Sequence, residues 1–150
     1  MNDLSGPALK QLHAHRAIHD GALSEGIQLT DLLVQLLKEN RIEHSRVVAT
    51  ALIEHWETRT LAHAEAEEEG FYNDMAQQKP ELSETVIMLR RDHDLIRLLV
   101  AEVKSSLAHE ELSEAIMDRF KTIAQIVRIH SEHEEKYLLD TDHELSDAAH

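Results

Sequence analysis

The chain has 150 residues, which is one domain's worth and enough to bury a real core. It carries 29 Asp and Glu against 15 Lys and Arg, a formal net charge of -14. That field repels phosphate and argues against DNA, RNA or an anionic membrane surface as partner. With no cysteine, disulfides, thiolate zinc sites, iron–sulfur clusters and Cys nucleophiles are excluded. Aromatics are 3%, too few for a base-stacking surface, whereas histidine reaches 12. Imidazole is the commonest side-chain metal ligand, so the organisation of these histidines is the informative question.

In chain order the pattern is helical nearly throughout. Ser5-Gly6-Pro7 reads as a helix start, with Pro7 tolerated in the first turn. Apolar residues then recur at three- and four-residue steps to Asn40, which marks the end of helix 1. A second helix is expected from about Ile42 to Gln77, broken by Lys79-Pro80. A third runs from about Leu82 to His109. Ser113 offers a cap for a fourth that reaches about Asp140. The expected domain spans residues 1–140, and residues 141–150, without apolar periodicity, read as a flexible tail. Residues 1–10 show no secretory signal and no stretch is long enough for a membrane span, so a soluble, cytoplasmic protein is expected.

Four long amphipathic helices with short connections predict an all-α, up-down-up-down four-helix bundle. Each inward stripe is apolar but interrupted by histidine. Helix 1 reads Leu12, His15, His19, Ala22, Gly26, Leu29, Leu33, Leu36; helix 3 reads Leu89, His93, Ile96, Val100. Helix 4 reads Ile123, Val127, His130, Glu134, Leu138. On helix 2, Leu52, Trp56, Arg59, His63, Glu67 and Phe71 fall on one face. Unpaired buried carboxylates and unsatisfied imidazoles are costly. Four such interruptions make a poor core unless they meet a common partner, and a metal is the simplest one.

Two histidines have Glu at i+4, His63 with Glu67 and His130 with Glu134. These positions differ by roughly 40° about a helix axis and about 6 Å along it, so both side chains can reach one ion or adjacent ions. Both pairs lie within H-x-E-x-E-E, and His15 and His93 lie upstream in similar frames, so the chain reads as two related halves. Imidazole and carboxylate without thiolate suit Fe, Mn or Zn. Two octahedral ions need about twelve positions. Two bridging carboxylates supply about four, five imidazoles about five and a bridging solvent oxygen about two, which leaves roughly one open for a small ligand. There is no HExxH and no Glu three residues before a His, which excludes the zinc-protease arrangement and the ExxH of ferritin-like bundles. GxGxxG and GxxxxGK are absent too.

The ordered set H, HxxxE, H, HxxxE on four helices resembles the hemerythrin-like, or HHE cation-binding, domain family over about residues 9–140. The residues that carry the resemblance are His15 or His19, His63 with Glu67, His93, and His130 with Glu134. The resemblance implies a non-heme centre of two iron ions with a bridging oxo or hydroxo group. Glu67 and Glu134 would bridge the irons and the histidines would be terminal ligands. It also implies a small ligand or substrate such as O2, NO or peroxide, or a part in iron and iron–sulfur homeostasis. The oxygen carriers of the family place HxxxH on the third helix, where this chain has His93 and then Arg97, and HxxxxD on the last, where it has His130 and Glu134. His15-xxx-His19 on helix 1 supplies an HxxxH pair that can replace the missing fifth histidine.

Two functional classes follow: a module that binds O2 or another small ligand for storage or sensing, and a di-iron oxidoreductase. A third is a bundle that holds metal only for its own stability. Glu65, Glu68, Glu69, Glu132 and Glu135 are expected on the solvated surface, and His13, His44, His55, His109 and His133 off the site. Tyr137 is either core filler or a donor to a bound ligand, and Trp56 is core. Arg97 either offsets carboxylate charge or is solvated, and His143 and His150 fall in the tail.

Overall fold

A computed structural model describes residues 7–139, with side chains described from residue 14 to 138. The expected start at Ser5-Gly6 and the tail with His143 and His150 lie outside the described residues, as do the side chains of Leu12 and His13. Helix α1 spans Pro7–Lys38, α2 Ile42–His55, α3 Ala62–Glu69, α4 Phe71–Gln78, α5 Ser83–His109 and α6 Glu114–Glu134. A π-helical segment, Trp56–Leu61, joins α2 to α3, and a second, Glu135–Leu139, continues α6. The fold is the expected all-α bundle. Its four rods are α1, α2 with α3, α5, and α6, with α1 packed on α2 and α6, and α5 on α6. No helix among the described residues is long and apolar enough to cross a membrane.

The chain's punctuation acts as anticipated. Asn40 takes a left-handed conformation, φ 57°, and ends α1; asparagine tolerates that region better than other side chains. Ser113 caps α6, its Oγ accepting from Ile116 N at 3.3 Å. Pro80 opens a short 3₁₀ turn, Pro80–Leu82, that leads into α5.

The second rod departs from expectation in two places. In the π segment carbonyls pair five residues on, so each turn takes an extra residue and the buried face shifts. Arg59, expected on the inward stripe, therefore points outward, half exposed, and pairs with Glu25 at 2.9 Å. At Gly70 the rod breaks, with backbone angles of -117° and -82°. Tyr72, fully buried, then turns inward, while Phe71 is only partly buried.

Two apolar clusters fill the bundle. The larger joins Leu33, Leu52, Trp56, Ile96, Val103, Phe120, Ile123 and Val127. The smaller joins Tyr72, Met75, Leu82, Val86, Leu89 and Leu138. Along α5, His93 lies between Leu89 of the smaller cluster and Ile96 of the larger. Along α6, His130 and Glu134 lie between Val127 and Leu138. The polar residues thus form a layer sealed from above and below by hydrocarbon.

Candidate metal centre

All seven residues singled out by spacing meet in that layer. His15 and His19 project from α1, His63 and Glu67 from α3, His93 from α5, and His130 and Glu134 from α6. Two groups have ligand-capable atoms within 4.8 Å of one another. One is His15, His19, His63 and Glu67; the other is Glu67, His93, His130 and Glu134. The imidazoles pack ring to ring, with centroids 4.6 Å apart for His15 and His19, 5.0 Å for His19 and His63, and 4.5 Å for His93 and His130. Glu134 is fully buried and Glu67 is 4% exposed.

The two carboxylates divide their oxygens between the groups. Glu67 Oε2 lies 2.9 Å from His15 Nε2 and 3.7 Å from both His19 and His63 Nε2, whereas Glu67 Oε1 lies 3.6 Å from His93 Nε2. Glu134 Oε1 faces His15 at 2.6 Å and His19 at 3.4 Å, while Oε2 faces His130 at 3.2 Å. Glu67 thus lies between all three histidines of the first group and His93, and Glu134 between His15 and His19 on one side and His130 on the other.

The donor set fits a metal cation. His63 Nε2 and Glu67 Oε2, 3.7 Å apart, are buried without a hydrogen-bond partner; the 2.9 Å approach of His15 to Glu67 Oε2 lacks hydrogen-bonding geometry. Such orphaned atoms are costly unless something binds them. On the other side, His93 donates through Nδ1 to Glu68 at 3.0 Å and His130 through Nδ1 to Asp92 at 2.9 Å. Both Nε2 atoms then face each other across 3.0 Å, an approach that only a cation between them makes favourable. In the metal-free chain a proton on His130 serves. A separation near 3.0 Å also suits adjacent ligands of one ion with bonds of about 2.1 Å.

A model of the hemerythrin HHE cation-binding domain matches residues 10–141. The chain belongs to that family. Searches of curated proteins and of solved structures return no significant match. The HxxxH pair of this chain, His15-xxx-His19, stands on α1, where both rings join the three-histidine group and leave two histidines in the other.

The protonation pattern of the metal-free site follows its crowding. Burial opposes charge on His15, but the hydrogen bond to Glu134 and the close carboxylate of Glu67 outweigh it and raise its pKa to about 9. His130 likewise reaches about 9, burial being overcome by its bonds to Asp92 and Glu134. Burial, reinforced by neighbouring imidazolium charge, lowers His19 and His93 to about 4 and also depresses His63. Burial and the charge of Glu134 push Glu67 up. Glu134 is held well below the usual carboxylate range because hydrogen bonds from His130 and His15 overcome its burial.

Around these seven lies a layer that spacing missed or misassigned. Tyr72 donates its hydroxyl in a short hydrogen bond to Glu134 Oε2 and lies 3.4 Å from His93 Nε2 and 3.5 Å from His130 Nε2. Its ring stacks on His93, and burial with nearby carboxylate charge raises its pKa, so it stays protonated. Tyr137, which spacing offered as core or ligand donor, is neither: it is 42% exposed and packs on His133. Glu68, expected on the surface, turns inward to His93 and is held by Arg97, which also pairs with Asp94 at 3.0 Å. Arg97 thus offsets carboxylate charge one step away from the centre. Glu65, Glu69 and Glu132 are exposed as expected, while Glu135 is half-buried. His44 and His109 are exposed, but His55 is buried, its Nε2–H donating to the Ala22 carbonyl at 2.7 Å. Trp56 is fully buried core.

Proposed function

We propose that this domain is a non-heme di-iron protein that binds O2 or another small ligand, for storage or sensing, at a carboxylate-bridged centre. The observation that carries the reading is the straddling of Glu67 and Glu134: one oxygen of each faces the set of His15, His19 and His63, and the other faces His93 from Glu67 and His130 from Glu134. His15, His19 and His63 would hold one ion, His93 and His130 the other, and the two carboxylates would join them. Manganese or zinc would satisfy the same donors. When bound, the ions would supply an open coordination position and, for iron, a change of oxidation state.

The chain's own residues do the rest. Asp92 and Glu68 fix the ring orientation of His130 and His93 by accepting their Nδ1 protons, which leaves Nε2 free to bind. The apolar clusters on either side exclude bulk water. Tyr72 holds a proton against Glu134 Oε2 inside the sealed layer. With no nucleic-acid or membrane partner implied by its charge, a cytoplasmic small-molecule role is the natural setting.

Metal analysis of the purified protein is expected to give two iron ions per chain, and both are expected to be lost in Glu67→Ala and Glu134→Ala. Spectra followed through oxygenation and deoxygenation should cycle. A protein with no bound metal, or one ion unaffected by either substitution, would refute the reading.

Tyr72 favours a second reading, an oxidoreductase acting on peroxide, NO or O2, because a buried phenol is a proton donor beside the two-histidine set. Multiple turnovers of peroxide by the iron-loaded protein, lost in Tyr72→Phe, would select it over reversible binding. Full recovery of the reduced protein on deoxygenation would select against it.

A further inference from the structure

The histidines of the two-histidine set differ in what stands behind them. Both donate through Nδ1 to a carboxylate, His130 to Asp92 at 2.9 Å and His93 to Glu68 at 3.0 Å. Behind Glu68 stands a cation. Arg97 spans the carboxylate, donating through Nη2 at 2.5 Å to Oε2, the oxygen that also accepts from His93, and through Nη1 to Oε1 at 3.4 Å. Asp94 steadies the same Nη1 at 3.0 Å. Asp92, by contrast, pairs with no Lys or Arg among the described residues; its one partner there is His130.

The arrangement follows from sequence positions. Glu68 adjoins Glu67 at the end of α3, and Arg97 lies one turn beyond His93 on α5, so both reach the outer side of the His93 ring. Arg90, one turn before His93, has a different target. It donates to the Glu68 main-chain carbonyl at 3.0 Å and to Asn73 Oδ1 at 3.2 Å, and so ties together the two sides of the Gly70 break. One arginine holds the acid and the other holds the backbone that carries it.

A carboxylate that accepts from a metal-bound imidazole raises the basicity of that ligand. The effect weakens when a guanidinium takes up the carboxylate's charge through both oxygens. The side chains of Arg97 and Glu68 are 35% and 20% exposed, so water screens the pair incompletely. We propose that Arg97 is a positioning residue of the metal centre that, through Glu68, makes His93 a weaker donor than His130 and raises the reduction potential of the iron they would share. The inference rests on the metal-binding reading above and adds which residue outside the ligand set tunes it. Electron donation stabilises the ferric ion more than the ferrous, so a weakened imidazole favours the reduced state.

The test is a mediated redox titration of iron-loaded protein, followed by its electronic spectrum, after iron content and far-UV circular dichroism are measured. Arg97→Gln should lower the midpoint potential by about 59 mV, a tenfold change in the ratio of oxidised to reduced iron. Arg97→Lys keeps a cation beside Glu68 and should titrate between the two. Arg90→Gln removes a positive charge from the same stretch of α5 without touching the carboxylate, and should shift the potential by less than half as much. In a Glu68→Gln background, Arg97→Gln should shift it little. The inference alone is overturned by an Arg97→Gln potential equal to the parent's, by an Arg97→Lys potential no higher than that of Arg97→Gln, by an equal shift in Arg90→Gln, or by an undiminished shift in the Glu68→Gln background. Arg97 would then be only a brace between α3 and α5. If Arg97→Gln loads no iron, Glu68→Gln decides: it should titrate above the parent, and a potential at or below the parent's overturns the inference. Parent protein that takes up no iron overturns the reading of the centre, and the inference falls with it.

Discussion

Substituting Gly26 by alanine tests how the packing of the large apolar cluster supports the metal layer. A Cβ at Gly26 would lie 2.2, 2.6 and 2.9 Å from three carbons of the Trp56 ring. Ordinary contact begins at 3.4 Å, so a rigid, fully buried indole would have to retreat across a filled core. Overpacking of this kind costs about 1–3 kcal/mol, and overlap with a ring edge belongs at the upper end. Replacing a mid-helix glycine returns about 1 kcal/mol of backbone entropy and propensity. The expected net loss is about 2 kcal/mol, or roughly 4–8 °C in Tm for a chain of this size. Trp56 is also the first residue of the π segment that leads to His63, so affinity for metal should fall together with stability. Thermal melts with and without metal, beside a chelator-competition titration, would measure both. An unchanged or raised Tm would refute the reasoning, because it would mean that the indole has room to move.

Three further outcomes are expected. Metal-free protein should be most stable near pH 6.5. Below that, the unfolded chain binds more protons at His19 and His93, both lowered to about 4, so stability rises with pH up to 6.5. Above it, the native state binds more at His15 and His130, both raised to about 9, so stability falls. Glu67, itself raised, opposes the first trend with one proton against two. Urea midpoints from pH 4 to 9 in chelator would show a monotonic curve if this is wrong. Tyr72→Phe should destabilise the metal-free protein by about 2 kcal/mol, the worth of a hydrogen bond to a buried charged acceptor, read from urea unfolding. Asp92→Asn should weaken metal binding by about 10–100-fold with the fold intact, measured by chelator competition, since it alters the acceptor that orients His130.

The rods and the seven convergent residues were legible because both obey one rule. A helix that buries a face writes that face every three or four residues, and His15, His93 and His130 stood out as polar breaks in otherwise apolar stripes. Gly70 was the signal that could have found Tyr72: a continuous helix carries Phe71 one turn beyond Glu67, and only the break brings its neighbour in. Arg59 left its expected place on the inward stripe because a π turn leaves no mark in hydrophobic periodicity. Glu68 and Asp92 were hidden for another reason. Each belongs to a charged run, and which member of a run turns inward depends on how near the facing helix comes, a distance that no single helix encodes.

The wide turn between Trp56 and Leu61 has a consequence for the chain's lineage. The stretches before and after it follow one helical count only if the count is interrupted between them. Deleting a single residue there would restore a uniform screw and leave the His63–Glu67 edge aimed nearly where it is, whereas tightening the turn without a deletion would swing that edge by about 100°. The wide turn is therefore what lets the rod carry one more residue while its later half keeps its aim, and a relative that lacks the residue can present the same edge from an unbroken α-helix.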